Sequence, residues 1–237
     1  LGLAIDRIAK QLGARGSSFA AITGSGPNGA LPHHQWARGK RIVPGDMVVL
    51  DIGYYFDEGD FATDMTRTVL AGRNAKPKPL QREIYTLVLR AFLRQFFVHA
   101  RPGTLKACEL DRLGRSLLTR AETLGFKFLH GTGHGLGIND HELALTISPK
   151  SRVTLRAGYC YSIEPGLYAL RESVEEKDAF GVRLEDIVVL QQHHGWLMHT
   201  SMAPCPFEER LIDFDQLDLE SRERYARYLE LSPQVSV

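Results

Sequence analysis

Two stretches decide how this chain is read: Gly45-Asp46-Met47-Val48-Val49-Leu50-Asp51-Ile52-Gly53-Tyr54-Tyr55 and Gly158-Tyr159-Cys160-Tyr161-Ser162-Ile163-Glu164-Pro165-Gly166-Leu167-Tyr168. Each opens on glycine, runs through an apolar segment and reaches an acid, Asp51 or Glu164, six residues later. A glycine follows two residues after each acid and a tyrosine two beyond that, Tyr55 or Tyr168. The apolar, β-branched content of residues 47–50 and 159–163 predicts strands. A carboxylate at the end of an apolar strand is costly unless it is paired or binds a metal. One such acid is ordinarily a turn or cap residue. Two in matching frames predict duplicated half-domains that face a shared cleft.

Each frame is followed by a further strand candidate bearing an acid: Asp64 ahead of residues 66–70, and Glu185 within residues 183–190. Alone, Asp64 could pair with Arg67, and Glu185 could be a salt-bridge partner. The turn-rich segment with Asp57, Gly59 and Asp60 separates the first pair of strands. Helical spacing of Leu3, Ile5, Ile8 and Leu12 predicts a first helix ending near Gly13. Pro79, tolerated in a first turn, opens a second that runs to about Ala100. A third follows Thr104 as N-cap and ends at Gly125. A polar turn at 191–195 predicts a hairpin into residues 196–200, and a last helix spans roughly 217–231.

Composition bounds the function. With 43% apolar and 24% charged residues in 237, the chain can bury one sizeable core or two small ones. A net charge of +1 leaves no electrostatic footprint for nucleic acid. Arg38, Lys40 and Arg41 read as a solvated turn. No apolar stretch is long enough to span a bilayer, so no membrane partner is expected. Three widely spaced cysteines, Cys108, Cys160 and Cys205, suggest a reducing compartment, hence a cytoplasmic protein. The chain begins at Leu1, already in helical pattern, which reads as a fragment or processed form.

Histidine completes the constellation. His130-Gly131-Thr132-Gly133-His134-Gly135-Leu136-Gly137 is too glycine-rich for a helix and brings imidazoles close to something; His141 lies seven residues beyond His134. Four carboxylates and one imidazole suit two divalent cations, Mn first, with Co, Zn or Fe as alternatives. The absence of a cysteine-rich zinc pattern argues for a catalytic site.

The ordered set Asp51, Asp64, His134, Glu164, Glu185 resembles the metal ligands of the methionine aminopeptidase/prolidase superfamily, peptidase family M24. The resemblance covers nearly the whole chain, with local matches at residues 24–30 and His33, 50–53, 63–68, 162–168 and 181–186. It implies an α+β pita-bread fold over residues 1–237: two pseudo-symmetric halves around a mixed, mostly antiparallel curved sheet. It also implies a preceding N-terminal domain that these residues do not supply, and leaves room for a homo-oligomer. By the same resemblance, Asp51 takes one metal, His134 and Glu164 the other, and Asp64 and Glu185 bridge both. Glu164 would shuttle a proton for the attacking hydroxide, and His141 would hold the carbonyl in an oxyanion-hole role. His33 and His130 would shape the substrate cleft. Beside Pro32 and His34, His33 could equally be an ordinary loop histidine, and His193 and His194 read as surface residues.

Tyr168 and Arg183 fall where the proline-specific branch places a tyrosine and an arginine as substrate-binding residues. Methionine-specific members match the 132–141 loop less well and lack a counterpart of residues 171–180. Within the branch, residues 62–68, 130–135 and the 206–231 tail resemble aminopeptidase P, which releases the first residue of Xaa-Pro peptides. Prolidase, which splits Xaa-Pro dipeptides, is the alternative, and Pro32-His33-His34 is equally at home there. Methionine aminopeptidase, a non-catalytic interaction module and a metal-free creatinase-like amidinohydrolase follow; the last two conflict with five retained ligands. One departure stands out: where the family often has proline shortly after a His-Glu pair, His141-Glu142 continues as Leu143-Ala144-Leu145.

Overall fold

The computed structural model describes residues 1–34, 39–56 and 61–231. Arg38 and the turn acids Asp57 and Asp60 lie outside the described residues. In chain order the elements are α1 (Gly2–Gln11), β1 (Ala14–Ser17), β2 (Ile22–Ser25), β3 (Met47–Ile52), β4 (Tyr54–Phe56) and β5 (Met65–Leu70). Then come α2 (Pro79–Phe96), α3 (Ala107–Leu118), β6 (Phe126–Lys127), β7 (Gly133–Gly135), β8 (Glu142–Ile147), β9 (Cys160–Ile163) and β10 (Gly166–Ala169). The chain closes with β11 (Gly181–Arg183), β12 (Asp186–His193), β13 (Trp196–Ser201) and α4 (Leu219–Leu231).

The duplicated frame is structural. Gly45 and Gly158 both adopt left-handed backbone, φ 93° and 89°, which only glycine enters without strain. Each then donates its N–H across to the neighbouring strand region at 2.8 Å, to Ala71 and Leu190 respectively. β3 lies between β2 and β5 in one sheet; β9 lies between β12 and β7 in a larger one ordered β13-β12-β9-β7-β8. Every strand pairing among the described residues is antiparallel. The halves meet at a bridge between Thr66 and Glu185, and the Thr68 hydroxyl both donates to Arg183 C=O and accepts from its N–H, each at 3.0 Å.

That junction explains one departure from the sequence reading. The single strand expected over 183–190 is two strands, broken at Leu184-Glu185, because Glu185 leaves its own ladder to bridge the other half. The second helix stops at Phe96, short of Ala100, since Ala100 pairs with Leu197 at the sheet edge. The third is capped by Lys106 and not Thr104; the Lys106 N–H donates to the Glu109 side chain at 3.1 Å. After Leu118 it tightens into a 3-10 turn, which Gly125 ends at φ 79°.

α2 is the spine of the core. Phe92, Phe96, Phe207 and Tyr228 form an aromatic cluster with ring centroids 4.7–5.7 Å apart, and each such buried ring contributes about 2 kcal/mol of transfer free energy. α1 behaves differently. Only Ala9 is buried, and Ile5, Ile8 and Leu12 border an open apolar cleft with Tyr54, Phe61 and Met65. Backbones also close in near the site. A Cβ on Gly133 would lie 1.9 Å from Ser162 O, so only glycine lets β7 carry His134 past β9.

Candidate metal centre

The strands deliver their acids to one cavity of about 430 Å³, lined by Asp51, Asp64, His134, Glu164 and Glu185 together with His33, His130, His141 and Arg183. Asp51 sits in β3 opposite Thr66 of β5; Asp64, two residues before Thr66, therefore points to the same face. In the second half Ile163 pairs with Asp186, which sets Glu164 and Glu185 side by side beyond the ladder. His134 rides on β7, its Nε2 3.4 Å from both Asp64 Oδ2 and Glu164 Oε1.

Electrostatics here is unfavourable for bare carboxylates. Asp51, Asp64 and Glu185 are 7%, 8% and 2% exposed. Burial, then the neighbouring Asp51 and Glu164 charges, hold the Asp64 carboxyl well above its usual range. Burial and Asp64 do the same to Glu185, and burial raises Glu164. Like charges this close cannot all ionise unaided. Asp51 Oδ1 and Asp64 Oδ1 are buried with no hydrogen-bond partner, and orphaned buried acceptors are rare. Donor atoms of Asp64, His134 and Glu185 lie within 4.8 Å of one another. Hard oxygens with one imidazole, converging and unneutralised, fit divalent cations.

Arg183 supplies the one fixed positive charge among the described lining residues. It is 3% exposed, pairs with Asp51, and donates to Tyr168 Oη at 2.6 Å, Pro32 O at 3.2 Å and Thr66 Oγ1 at 3.2 Å. Tyr168 is fully buried, behind the cavity wall. Since arginine only donates, the Tyr168 oxygen accepts from it and its proton goes to His130 Nε2, 2.8 Å away. His130 Nδ1 then carries the hydrogen and donates to Gly131 O at 2.8 Å. Burial and then Arg183 lower the His130 pKa to about 3, so this ring is neutral. Tyr168 and Arg183, expected at the substrate, have these polar groups turned toward His130 and Asp51, with Arg183 itself on the cavity lining.

His33 and His141 stand at the exposed side of the cavity. His141 stacks on His134 with ring centroids 3.6 Å apart, and burial followed by the His134 charge lowers its pKa. His193 and His194 are exposed in the β12–β13 turn, as expected. Where the family often has proline, residues 142–147 form the edge strand β8, which leaves Leu143 99% exposed and turns Thr146 toward the cavity. The sequence reading missed Thr66, whose hydroxyl donates to Glu185 Oε2 at 2.7 Å, and Asp140, Phe19 and Ile22 on the wall. The alternative pairing of Arg67 with Asp64 is not formed; Arg67 pairs with Asp186 at 2.6 Å, an acid that the Arg183-Leu184-Glu185-Asp186 order does not mark out from Glu185. Cys108, Cys160 and Cys205 are free thiols, and no helix among the described residues is long and apolar enough to cross a membrane.

Comparison with known proteins gives the same outline. Residues 2–192 match the model of metallopeptidase family M24. The Xaa-Pro dipeptidase of Pyrococcus furiosus is 36% identical over 189 residues, 80% of this chain and 49% of that protein. A probable Xaa-Pro aminopeptidase P of Coccidioides posadasii is 31% identical over 222 residues, 87% of this chain and 34% of its own length. Among solved structures, the P. furiosus prolidase superposes with a TM-score of 0.70 at 33% identity, covering 84% of this chain and 53% of that one. The X-prolyl aminopeptidase of Caenorhabditis elegans, described as having a di-nuclear active site, gives 0.81 at 28% identity, covering 97% and 38%. The chain thus spans about half the length of the curated dipeptidases it matches.

Proposed function

The chain belongs to metallopeptidase family M24, in its proline-specific branch and with its pita-bread fold; on that premise we propose that it hydrolyses Xaa-Pro peptide bonds with two divalent cations, Mn²⁺ first, and that its preferred substrates are Xaa-Pro dipeptides. The observation that carries the reading is the cavity itself, where five ligand-type residues converge and two buried carboxylate oxygens have no partner.

Asp51, Asp64, His134, Glu164 and Glu185 would hold the ions. Bound there, divalent cations supply Lewis-acid polarisation of the scissile carbonyl and lower the pKa of a water. The protein's own residues do the rest. Glu164, its carboxyl raised by burial, takes the proton lost by the attacking water and passes it to the prolyl nitrogen. His141, neutral and at the open side of the site, offers a ring N–H to the carbonyl oxygen as negative charge develops there. His33 and His130 border the pocket for the proline ring, a residue that lacks an N–H and so cannot be gripped as extended backbone.

This order of the two proline-specific activities reverses that of the sequence reading, which placed aminopeptidase P first. Relatives named Xaa-Pro dipeptidase support the dipeptide preference. The aminopeptidase reading keeps one specific support: the C. elegans alignment reaches 97% of this chain against 84% for the P. furiosus prolidase. Initial rates on Ala-Pro, Ala-Pro-Ala and Met-Ala-Ser separate them. The expected result is at least about tenfold higher kcat/KM on Ala-Pro, the scale on which a pocket discriminates one missing or extra group. Faster Ala-Pro-Ala turnover would favour the aminopeptidase, and faster Met-Ala-Ser would defeat proline specificity altogether.

A further inference from the structure

Four polar side chains lie behind the cavity wall, apart from the ligand set: the buried Gln95 on α2, Asp111 on α3 and Thr132 just before β7, and the partly buried Arg115 on α3, whose side chain is 26% exposed. Gln95 and Thr132 are fully buried and Asp111 is 1% exposed. Arg115 Nε and Nη2 donate to the two Asp111 oxygens at 2.7 and 2.8 Å, a two-pronged pair one helical turn apart. The Thr132 hydroxyl donates to Asp111 Oδ1 and accepts from Gln95 Nε2, each at 3.0 Å. Apolar residues of similar volume often hold a fold as well as a buried ion pair does. The network therefore calls for a role other than stability.

Its outward contacts supply one. Arg115 Nη2 donates to the His130 carbonyl at 2.7 Å. Its guanidinium also lies over the Phe128 ring, 4.2 Å from the centroid, and that ring meets the His130 ring edge-on at 4.9 Å. The Thr132 carbonyl accepts the Glu164 N–H at 2.7 Å. The same four-residue unit thus grips the backbone at His130 and at Glu164, whose side chains approach within 3.6 Å at the cavity.

We propose that the Asp111–Arg115 pair, locked to Thr132, is the device that positions His130 and Glu164 for metal binding and turnover. None of the three lines the cavity; they are positioning residues and act through the loop between β6 and β7. Loss of the anchor frees the 130–132 backbone to shift, and a carboxylate displaced by a few tenths of an ångström no longer meets its cation at coordination distance. The kinetic consequence rests on the proposed peptidase activity, whereas the metal-binding consequence does not.

The test uses the full chain with two sets of variants: the apolar double replacement Asp111→Leu/Arg115→Met, and Thr132→Val beside Thr132→Ser. Calorimetric titration with Mn²⁺ alone, kcat and KM on Ala-Pro, and the urea midpoint are measured for each. The double variant and Thr132→Val are expected to bind Mn²⁺ about 10- to 100-fold more weakly and to lose a similar factor in kcat, the usual size for residues supporting a ligand. KM and the urea midpoint change little, and Thr132→Ser behaves like the parent. Parent-like Mn²⁺ affinity and kcat in Thr132→Val and the double variant overturn the proposal, as do equal losses in Thr132→Ser and Thr132→Val. Should the double variant not fold, the threonine pair decides alone. Should the parent cleave no Xaa-Pro bond, the functional reading falls and the Mn²⁺ titration still decides the positioning role.

Discussion

Replacing either Glu185 or Asp64 by alanine is expected to lower Xaa-Pro hydrolysis about 10³-fold, because each acid would be shared by both ions. The several kilocalories per mole that a metal contributes to transition-state stabilisation correspond to roughly three orders of magnitude in rate. The same substitutions are not expected to destabilise the metal-free protein. Both carboxyls are buried and crowded by like charges, so their removal relieves repulsion in that state. Steady-state kinetics with saturating Mn²⁺, paired with urea unfolding in chelator, check both halves. A variant that keeps its rate to within tenfold, or loses rate only in step with stability, would remove that residue from the bridging position.

Arg67→Ala is expected to be the most damaging single change to stability. The Arg67 guanidinium, 7% exposed as a residue, donates to Asp186 at 2.6 Å, to Glu185 O at 2.7 Å, to Cys205 O at 2.7 Å and to Tyr228 Oη at 3.0 Å. It therefore joins β5 to β12 and to the C-terminal helix α4, and the Tyr228 hydroxyl donates in turn to Asp186 at 2.5 Å. Truncation leaves the fully buried Asp186 carboxylate without its cation, a situation that costs about 3–5 kcal/mol. Urea unfolding with the midpoint and slope both reported measures it. A loss below about 1 kcal/mol, the size of an exposed pair, would mean that the network is dispensable.

How much of this was legible in the sequence depends on range. The duplicated frame around Asp51 and Glu164 was legible because its signals are local: a left-handed glycine, an apolar strand, an acid at a fixed offset. The same frame gave the two halves, and the ligands followed by resemblance at each position. What was not legible depends on which strand lies beside which. Thr66 reads as an ordinary strand threonine until β5 meets Glu185, and nothing in one dimension pairs Arg67 with the distant Asp186 over the nearby Asp64. Tyr168 and Arg183 matched their motifs, yet only the packing shows the tyrosine hydroxyl handed between Arg183 and His130. The Asp111–Arg115 pair looks like a routine i,i+4 surface bridge on a helix; that its Asp111 end is buried, and what the pair grips, comes from α2 packing on α3 and from Thr132 reaching across to it. Short, glycine-rich strands such as β7 escaped for the converse reason, since their side chains carry no periodic signal.

The most direct test of the account is the number of divalent ions held by the intact chain. Metal-free protein titrated with Mn²⁺ in a calorimeter is predicted to bind two ions per chain, with Glu185→Ala reducing the stoichiometry. A chain that binds none, or one with the same affinity when Glu185 and Asp64 are both replaced, would contradict the two-metal centre on which the proposed hydrolysis depends.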